Sequence, residues 1–408
     1  MSEVKLGLRE NWKQFTLLVI INSFVGGMIG LERSIIPELA EKEFNMAVKV
    51  AILSFIVVFG ITKAITNYYT GKLASKIGRR KLLIIGWLFA IPVPFILIYA
   101  PNWNWVIVAN IFLGINQGLA WSTTVLMKID LVGNKQRGFA MGLNEFSGYL
   151  AVGVVALLTG WVANTFGIRP YPFYIGIGLT VLGLFGTIFL IKDTQQHLAK
   201  EATNSKTPKL KNVFWETTWK NRNLGSVSVA GLINNMNDGM IWGILPFLLA
   251  TKGFSIEQIG IVVAVYPAVW GIGQLFTGKM ADKYCKKKML YIGMLLQAVA
   301  LLFMIWANTM VHFIGLSMLL GWGTAMVYPT FLATIADNTH PTDRARSIGV
   351  FRFWRDLGYA VGAVITGIIA DAFNLESTLL FIGGLTLISA IIIYFRMAGS
   401  KARSQELT

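Results

Sequence analysis

The sequence states one pattern twice. Gly71-Lys72-Leu73-Ala74-Ser75-Lys76-Ile77-Gly78-Arg79-Arg80-Lys81 returns about 207 positions later as Gly278-Lys279-Met280-Ala281-Asp282-Lys283-Tyr284-Cys285-Lys286-Lys287-Lys288, and both copies lie between long apolar stretches. Without a gap, the same offset pairs Gly114 with Gly321, Asp130 with Asp337, Arg137 with Arg344, Gly142 with Gly349, and Thr159-Gly160 with Thr366-Gly367. So many agreements in one register mark an internal duplication. Duplicated bundles of membrane helices are how many transporters make two halves that rock around a central site.

Composition says which solvent the halves face. The 408 residues are 55% hydrophobic and 14% charged, with a mean hydropathy of +0.60, which is the departure from soluble averages that a bilayer demands. A helix needs roughly 20 apolar residues to cross the hydrocarbon. Twelve windows qualify: 14–36, 48–70, 82–100, 105–127, 138–164, 173–191, 225–250, 257–280, 289–307, 311–335, 347–372 and 377–395. The first follows Lys5, Arg9 and Lys13 with no small-residue cleavage site, so it reads as a retained helix. The expected fold is an all-α integral membrane protein, with twelve transmembrane helices in two pseudo-symmetric six-helix bundles. Its expected divisions are 1–191, a linker over 192–222, and 223–408.

Basic residues set the expected orientation. They crowd the connections after even-numbered crossings, at Lys72, Lys76, Arg79, Arg80 and Lys81, at Lys128, Lys135 and Arg137, at Lys279, Lys283 and Lys286 to Lys288, and at Arg344 and Arg346. Those loops are expected in the cytoplasm with both termini, in the inner membrane of the cell. The same clustering accounts for the net charge of +16 without nucleic acid, as contact with anionic lipid headgroups. Near the end of the basic linker, Trp215 and Trp219 share a helical face, as in an interfacial helix lying on headgroups or a loop packed against the bundle. One cysteine and three scattered histidines offer no disulfide framework and no metal motif, and no cofactor is expected.

Gly71 to Lys81 resembles the signature of the major facilitator superfamily between the second and third helices, Gly-x-x-x-Asp-Arg-x-Gly-Arg-Arg/Lys, and Gly278 to Lys288 is its second copy. The resemblance implies a clasp that closes the cytoplasmic side and parts for inward opening. Its implied gate residues are Gly71, Gly78, Arg79, Asp130 and Arg137, with Gly278, Asp282, Asp337 and Arg344 in the second half. Read without the family, the same basic residues anchor topology. The acidic residue of the motif is Ser75 in the first copy and Asp282 in the second, so the two clasps are expected to differ in strength. The chain also departs from drug/proton antiporters of the family. Gly114 stands where they carry an arginine before Gln117-Gly118, and the fifth helix has no proline.

Ionisable residues within apolar helices cost several kcal/mol unless paired or hydrated, which makes each a functional candidate. These are Lys63, Glu145, Asp238, Arg352, Arg355 and Asp356, together with Glu32 and Arg33 near the outer end of the first helix, for which an interfacial position is the alternative. Glu145 and Arg352 occupy equivalent repeat positions with opposite charge. The resemblance adds cavity-lining candidates on helices one, four, seven and ten: Asn22, Asn116, Gln117, Trp121, Asn234, Asn235, Trp322 and Tyr328. A buried carboxylate at Asp238, Asp356 or Glu145 suits proton uptake, and a deep cation suits an anionic substrate. Structural ion pairs are the alternative for each. The leading expectation is a monomeric secondary active transporter of a small organic solute, proton-coupled and working by alternating access. Rival expectations are an organic-anion carrier, a lipid-handling protein and a non-transporting sensor. No phosphate-binding Gly-x-x-x-x-Gly-Lys-Ser/Thr loop is present, and the loops assemble no nucleophile with base and orienting group, so an enzyme is not expected.

Overall fold

The structure, a computed structural model, describes residues 4–33, 35–45 and 48–399. Among these the chain forms helices and short connections, with no strand. The helices are α1 (Trp12–Arg33), α2 (Ile36–Phe44), α3 (Val48–Ile77), α4 (Arg79–Ala90), α5 (Pro92–Tyr99), α6 (Trp103–Val132), α7 (Arg137–Phe166) and α8 (Tyr171–Leu190). They continue as α9 (Gln195–Thr203), α10 (Val213–Trp215), α11 (Arg222–Thr251), α12 (Ile256–Lys283), α13 (Lys286–Phe303), α14 (Met310–Asp337), α15 (Pro341–Ala372) and α16 (Leu375–Arg396). A π-turn, Glu216–Lys220, extends α10, and a 3-10 turn, Met304–Trp306, ends α13.

Among the described residues, ten segments are long and apolar enough to cross a membrane, with α4 and α5 counted together as Arg79–Tyr99. Helices α3 and α11 match them in length at 30 residues each. The hydropathy of α11 is diluted by Asn234, Asn235, Asn237 and Asp238 at its centre. Large apolar side chains stand exposed along the helices, including Leu157 at 78% and Phe189 at 74%. That exposure is what a hydrocarbon surrounding allows and water penalises.

Local chemistry sets the helix ends. The stretch expected as one span over 82–100 is interrupted at Ile91, because Pro92 has no N–H for the preceding turn and its ring crowds it. Between α3 and α4, Gly78 takes φ +89°, a conformation that side-chain-bearing residues rarely adopt, and so turns one helix directly into the next. Helix α12 opens with a capping box between Ser255 and Gln258. The linker is more ordered than a loop, since it contains α9, α10 and the π-turn.

Packing groups the chain into two compact units. The first holds Met1–Lys135, Phe146–Lys206 and Pro341–Gly349, and the second holds Gln136–Glu145, Thr207–His340 and Val350–Thr408. These differ from a cut at 191 and 223, because the first turns of α7 pack with the second unit and those of α15 with the first. In the first unit α6 packs on α1, α3 and α4, and α8 packs on α1 and α4. In the second, α14 packs on α11, α12 and α13, and α16 packs on α11 and α13. Helix for helix, this is the same arrangement, as a sequence duplication requires.

Candidate functional site

Each copy of the repeated motif lies at a close backbone crossing that only glycine permits. In the first unit, a Cβ added to Gly71 of α3 would lie 2.5 Å from the Ala345 carbonyl oxygen, and one added to Gly349 of α15 would lie 2.8 Å from that of Asn67. In the second unit, a Cβ at Gly278 of α12 would lie 2.7 Å from the Gly138 carbonyl, and one at Gly142 of α7 would lie 2.3 Å from that of Gln274. Backbones meet this closely only where side chains are absent.

Charged side chains surround both crossings, buried at the first and, apart from Arg137, only partly buried or exposed at the second. In the first unit Arg79 donates from Nε to Asp130 at 3.1 Å and from a terminal nitrogen to the Ala74 carbonyl at 2.7 Å. Asp130 also accepts from Thr194 at 2.9 Å. Arg344 sets its two terminal nitrogens against both oxygens of Glu201, at 2.8 and 2.7 Å, in the fork geometry that guanidinium and carboxylate share. In the second unit Arg137 donates to Asp337 at 2.8 Å and to the Ala336 carbonyl at 3.1 Å, and Lys286 reaches the other Asp337 oxygen at 2.9 Å. Asp282 accepts from the backbone N–H of Gly138 at 2.7 Å and of Phe139 at 2.9 Å. It therefore caps the first turn of α7, where unsatisfied N–H groups and the positive end of the helix favour a carboxylate. Its counterpart Ser75 is exposed and donates only to the Lys72 carbonyl of its own turn, at 2.9 Å.

Deeper in the second unit, α11, α12, α14 and α15 contribute one continuous buried network. Asp238, 4% exposed, accepts from the hydroxyl of Tyr266, and the Tyr328 hydroxyl lies 3.4 Å from its other oxygen. Tyr328 has a single proton, and its shorter contact, 2.9 Å, is to Asn235 Oδ1. The Asn235 amide donates to Asp356 at 3.4 Å, and Asp356 receives Arg355 at 2.8 Å from Nε and 2.7 Å from a terminal nitrogen. Aromatic rings enclose the chain of contacts. Tyr266 stacks on Trp270 at 5.9 Å, Trp270 meets Tyr328 at 4.9 Å, and the Arg355 guanidinium lies 5.5 Å from the Tyr328 ring. Glu145 and Arg352 pair at 3.5 Å with Asn144 donating to Glu145 at 2.8 Å, so the opposite charges at equivalent repeat positions meet. Asn234 and Gln274 are fully buried, and among the described residues neither amide has a hydrogen-bond partner.

The first unit is furnished differently. Lys63 of α3 is half-buried, with its ammonium 5.5 Å from the Phe59 ring and 5.6 Å from the Trp121 ring, and Trp121 packs on Tyr149 at 5.4 Å. Asn22 accepts from Thr124 at 2.8 Å and donates to Ser147 at 3.4 Å. Asn116 donates to the Gly86 carbonyl at 2.9 Å, and Gln117 donates to the Val25 carbonyl at 2.8 Å. These last two amides tie α6 to α4 and α1.

Of the residues singled out from sequence, Asn235, Asp238, Tyr328, Arg355 and Asp356 come together in one network. Trp322 does not join it; it is 38% exposed and lies against Gly273. Glu32, for which an interfacial position is the alternative from sequence, is 3% exposed and belongs to the buried set, while the Arg33 side chain lies outside the described residues. Sequence reasoning missed Tyr266, Trp270 and Gln274, uncharged residues in a helix whose charge-free stretch drew no attention. It also missed Thr194 and Glu201, which sit in a segment read as a loop. The polar stretch Gln195–Thr203 with one acid, Glu201, facing a basic loop was the available signal.

A model of the Major Facilitator Superfamily matches residues 16–231 and again 227–407. The multidrug resistance protein MdtG of Escherichia coli is 23% identical over 398 residues, covering 93% of this chain and 94% of the relative. Among solved structures, the human organic anion transporter MFSD10 (TETRAN) superposes with a TM-score of 0.78 at 12% identity, over 94% of this chain and 99% of that one. The transporter FucP in its outward conformation gives 0.76 at 13% identity, over 94% and 98%. At these identities the solved structures speak for the fold, and the sequence match spans nearly the whole chain. The duplicated packing, the glycine crossings and the family match agree, and the chain belongs to the Major Facilitator Superfamily, as a secondary transporter of small solutes.

Proposed function

We propose that the protein moves a small organic solute by alternating access, driven by protons, and that Asp238 carries the proton. The observation behind this is the contact between Asp238 and two tyrosine hydroxyls. A hydroxyl donates to a carboxylate and accepts from a carboxylic acid, so either protonation state of Asp238 finds a partner in Tyr266 or Tyr328. Glu145 and Asp356 contact guanidinium groups, which donate and never accept, so a carboxylic acid proton would find no acceptor there. Those two carboxylates suit structural pairing. FucP of Escherichia coli is a fucose:proton symporter, which fits proton coupling on this fold.

In this reading α3 and α11 complete twelve spans, and the basic motif ends, both termini and the linker face the cytoplasm of the inner membrane. The crossings Gly71/Gly349 and Gly278/Gly142, with their ion pairs, form the cytoplasmic gate, and the transporter works as a monomer without enzymatic activity. Proteoliposomes holding a trapped pH dye test the coupling. A transported solute added outside should drive a proton flux, and solute uptake with no proton movement would overturn the proposal. Lys63 over its two aromatic rings favours a second reading, in which an anionic group on the solute docks there. Competition by benzoate but not by benzylamine would support that reading, and the reverse would end it.

A further inference from the structure

Residues 209–222 carry Lys209, Lys211, Lys220 and Arg222 against one acid, Glu216, together with tryptophans at 215 and 219. The backbone makes one helical turn in α10 and then the wider π-turn, and its inner side is fastened to the second unit. Thr217 is buried, with its carbonyl accepting from Ser228 at 2.7 Å. Trp354 donates from its ring nitrogen to Thr218 at 2.9 Å, and Phe214 packs on the Trp354 ring at 6.5 Å. With that side occupied, Trp215 and Trp219 face outward, 53% and 50% exposed.

The end of α16 meets this segment. The Arg396 guanidinium lies 3.5 Å from the Trp219 ring centre and donates to the Trp219 carbonyl. Two residues on, the Ala398 N–H donates to Asn223 Oδ1 at 2.9 Å, which sets the end of α16 beside the start of α11 and brings Arg222 and Arg396 into one neighbourhood. Lys220 and Arg222 are exposed, and Tyr394 and Phe395, 53% and 78% exposed, stand just before Arg396 on α16.

We propose that this patch binds the headgroup of an anionic phospholipid, with Lys220, Arg222 and Arg396 around the phosphate and the glycerol and upper acyl chains against Trp215, Trp219 and Phe395. Both halves of the chemistry are needed for that assignment. Converging cations would suit any phosphate, but half-exposed tryptophans beside them suit a phosphate joined to hydrocarbon at the membrane surface. Basic residues that served topology alone would not need a guanidinium stacked on an outward tryptophan. The proposal is independent of proton coupling and of the solute.

The test is native mass spectrometry of the purified full-length protein in detergent supplemented with phosphatidylglycerol or phosphatidylcholine. Wild type should retain phosphatidylglycerol preferentially. The variant Lys220→Gln/Arg222→Gln, which leaves the Arg396–Trp219 contact in place and should melt like wild type in phosphatidylcholine, should bind it about 25-fold more weakly, at roughly fivefold per cation removed. The control Lys76→Gln/Lys81→Gln alters exposed basic residues on either side of the α3–α4 turn and should retain the lipid as wild type does. Equal retention by the two variants, or equal retention of both lipids by wild type, would overturn the site. So would inorganic phosphate giving wild type the same thermal shift as phosphatidylglycerol, which would assign the cations to a soluble anion.

Discussion

Replacing Asp282 with alanine should loosen the crossing of α12 on α7, and the structure sets the size of the effect. Both carboxylate oxygens of Asp282 are engaged by first-turn N–H groups of α7, at 2.7 and 2.9 Å. Losing a capping side chain costs about 0.5–2 kcal/mol, and losing a negative charge at a helix N-terminus costs about 0.3–1 kcal/mol. A combined loss of about 2 kcal/mol would shift the balance between this crossing closed and this crossing parted roughly 30-fold. Ser75→Ala removes only the bond of an exposed hydroxyl to its own turn and should stay within about 0.5 kcal/mol. Asp282→Asn keeps one acceptor oxygen and should fall between. The assay is electron–electron distance measurement between spin labels at Gln136 and Lys283, exposed residues flanking the crossing, in a Cys285→Ser background. The long-distance population should grow strongly in Asp282→Ala and stay at the wild-type level in Ser75→Ala. Equal behaviour of the two variants would refute the argument that the capping carboxylate holds this crossing.

Glu201→Gln breaks a buried bidentate pair and leaves the Arg344 guanidinium with only the more distant Asp130 carboxylate as counter-charge, so it should cost about 3 kcal/mol of stability, visible as a large drop in melting temperature. A shift no larger than that of an exposed linker change such as Glu216→Gln would contradict it. Burial holds the His197 imidazole below its ordinary pKa, so the folded state favours the neutral ring against Asn11. The stabilisation is then complete above about pH 6.5 and fades as pH falls through the depressed folded value, and His197→Gln should flatten the melting-temperature profile in that acid window. Gln274→Leu removes a buried amide that has no partner among the described residues and should raise stability by about 1–3 kcal/mol, where a lower melting temperature would show that the amide is satisfied in the membrane.

The fold was legible because its signals are local. Apolar windows and basic loops are counted along the chain, and the repeated motif relates the halves without any knowledge of contacts. What the repeat could not say is which equivalent positions touch: it pairs Gly71 with Gly278 and Gly142 with Gly349, whereas the structure sets Gly71 at the same crossing as Gly349 and Gly278 at that of Gly142. Equivalence under a duplication and adjacency in space are different relations. The interrupted third span was only half visible, since Pro92 and Pro94 can bend a helix and the window count still reads one crossing. In the site, Asp238, Arg355 and Asp356 stood out because charge in hydrocarbon is costly. Tyr266 and Trp270 did not, because aromatic residues in membrane helices are ordinary and only their rings' proximity to Asp238 gives them meaning. Glu201 was hidden for the opposite reason, an acid in a polar segment where exposure is the norm.

The central claim is that Asp238 carries the coupled proton, and it is tested by comparing gradient-driven accumulation with solute exchange in proteoliposomes of Asp238→Asn. Exchange moves no net proton, so a folded variant lacking only the carrier should exchange solute at near the wild-type rate and accumulate none under an imposed pH gradient. Retained accumulation in Asp238→Asn, or loss of both activities in a variant that melts like wild type, would contradict the account.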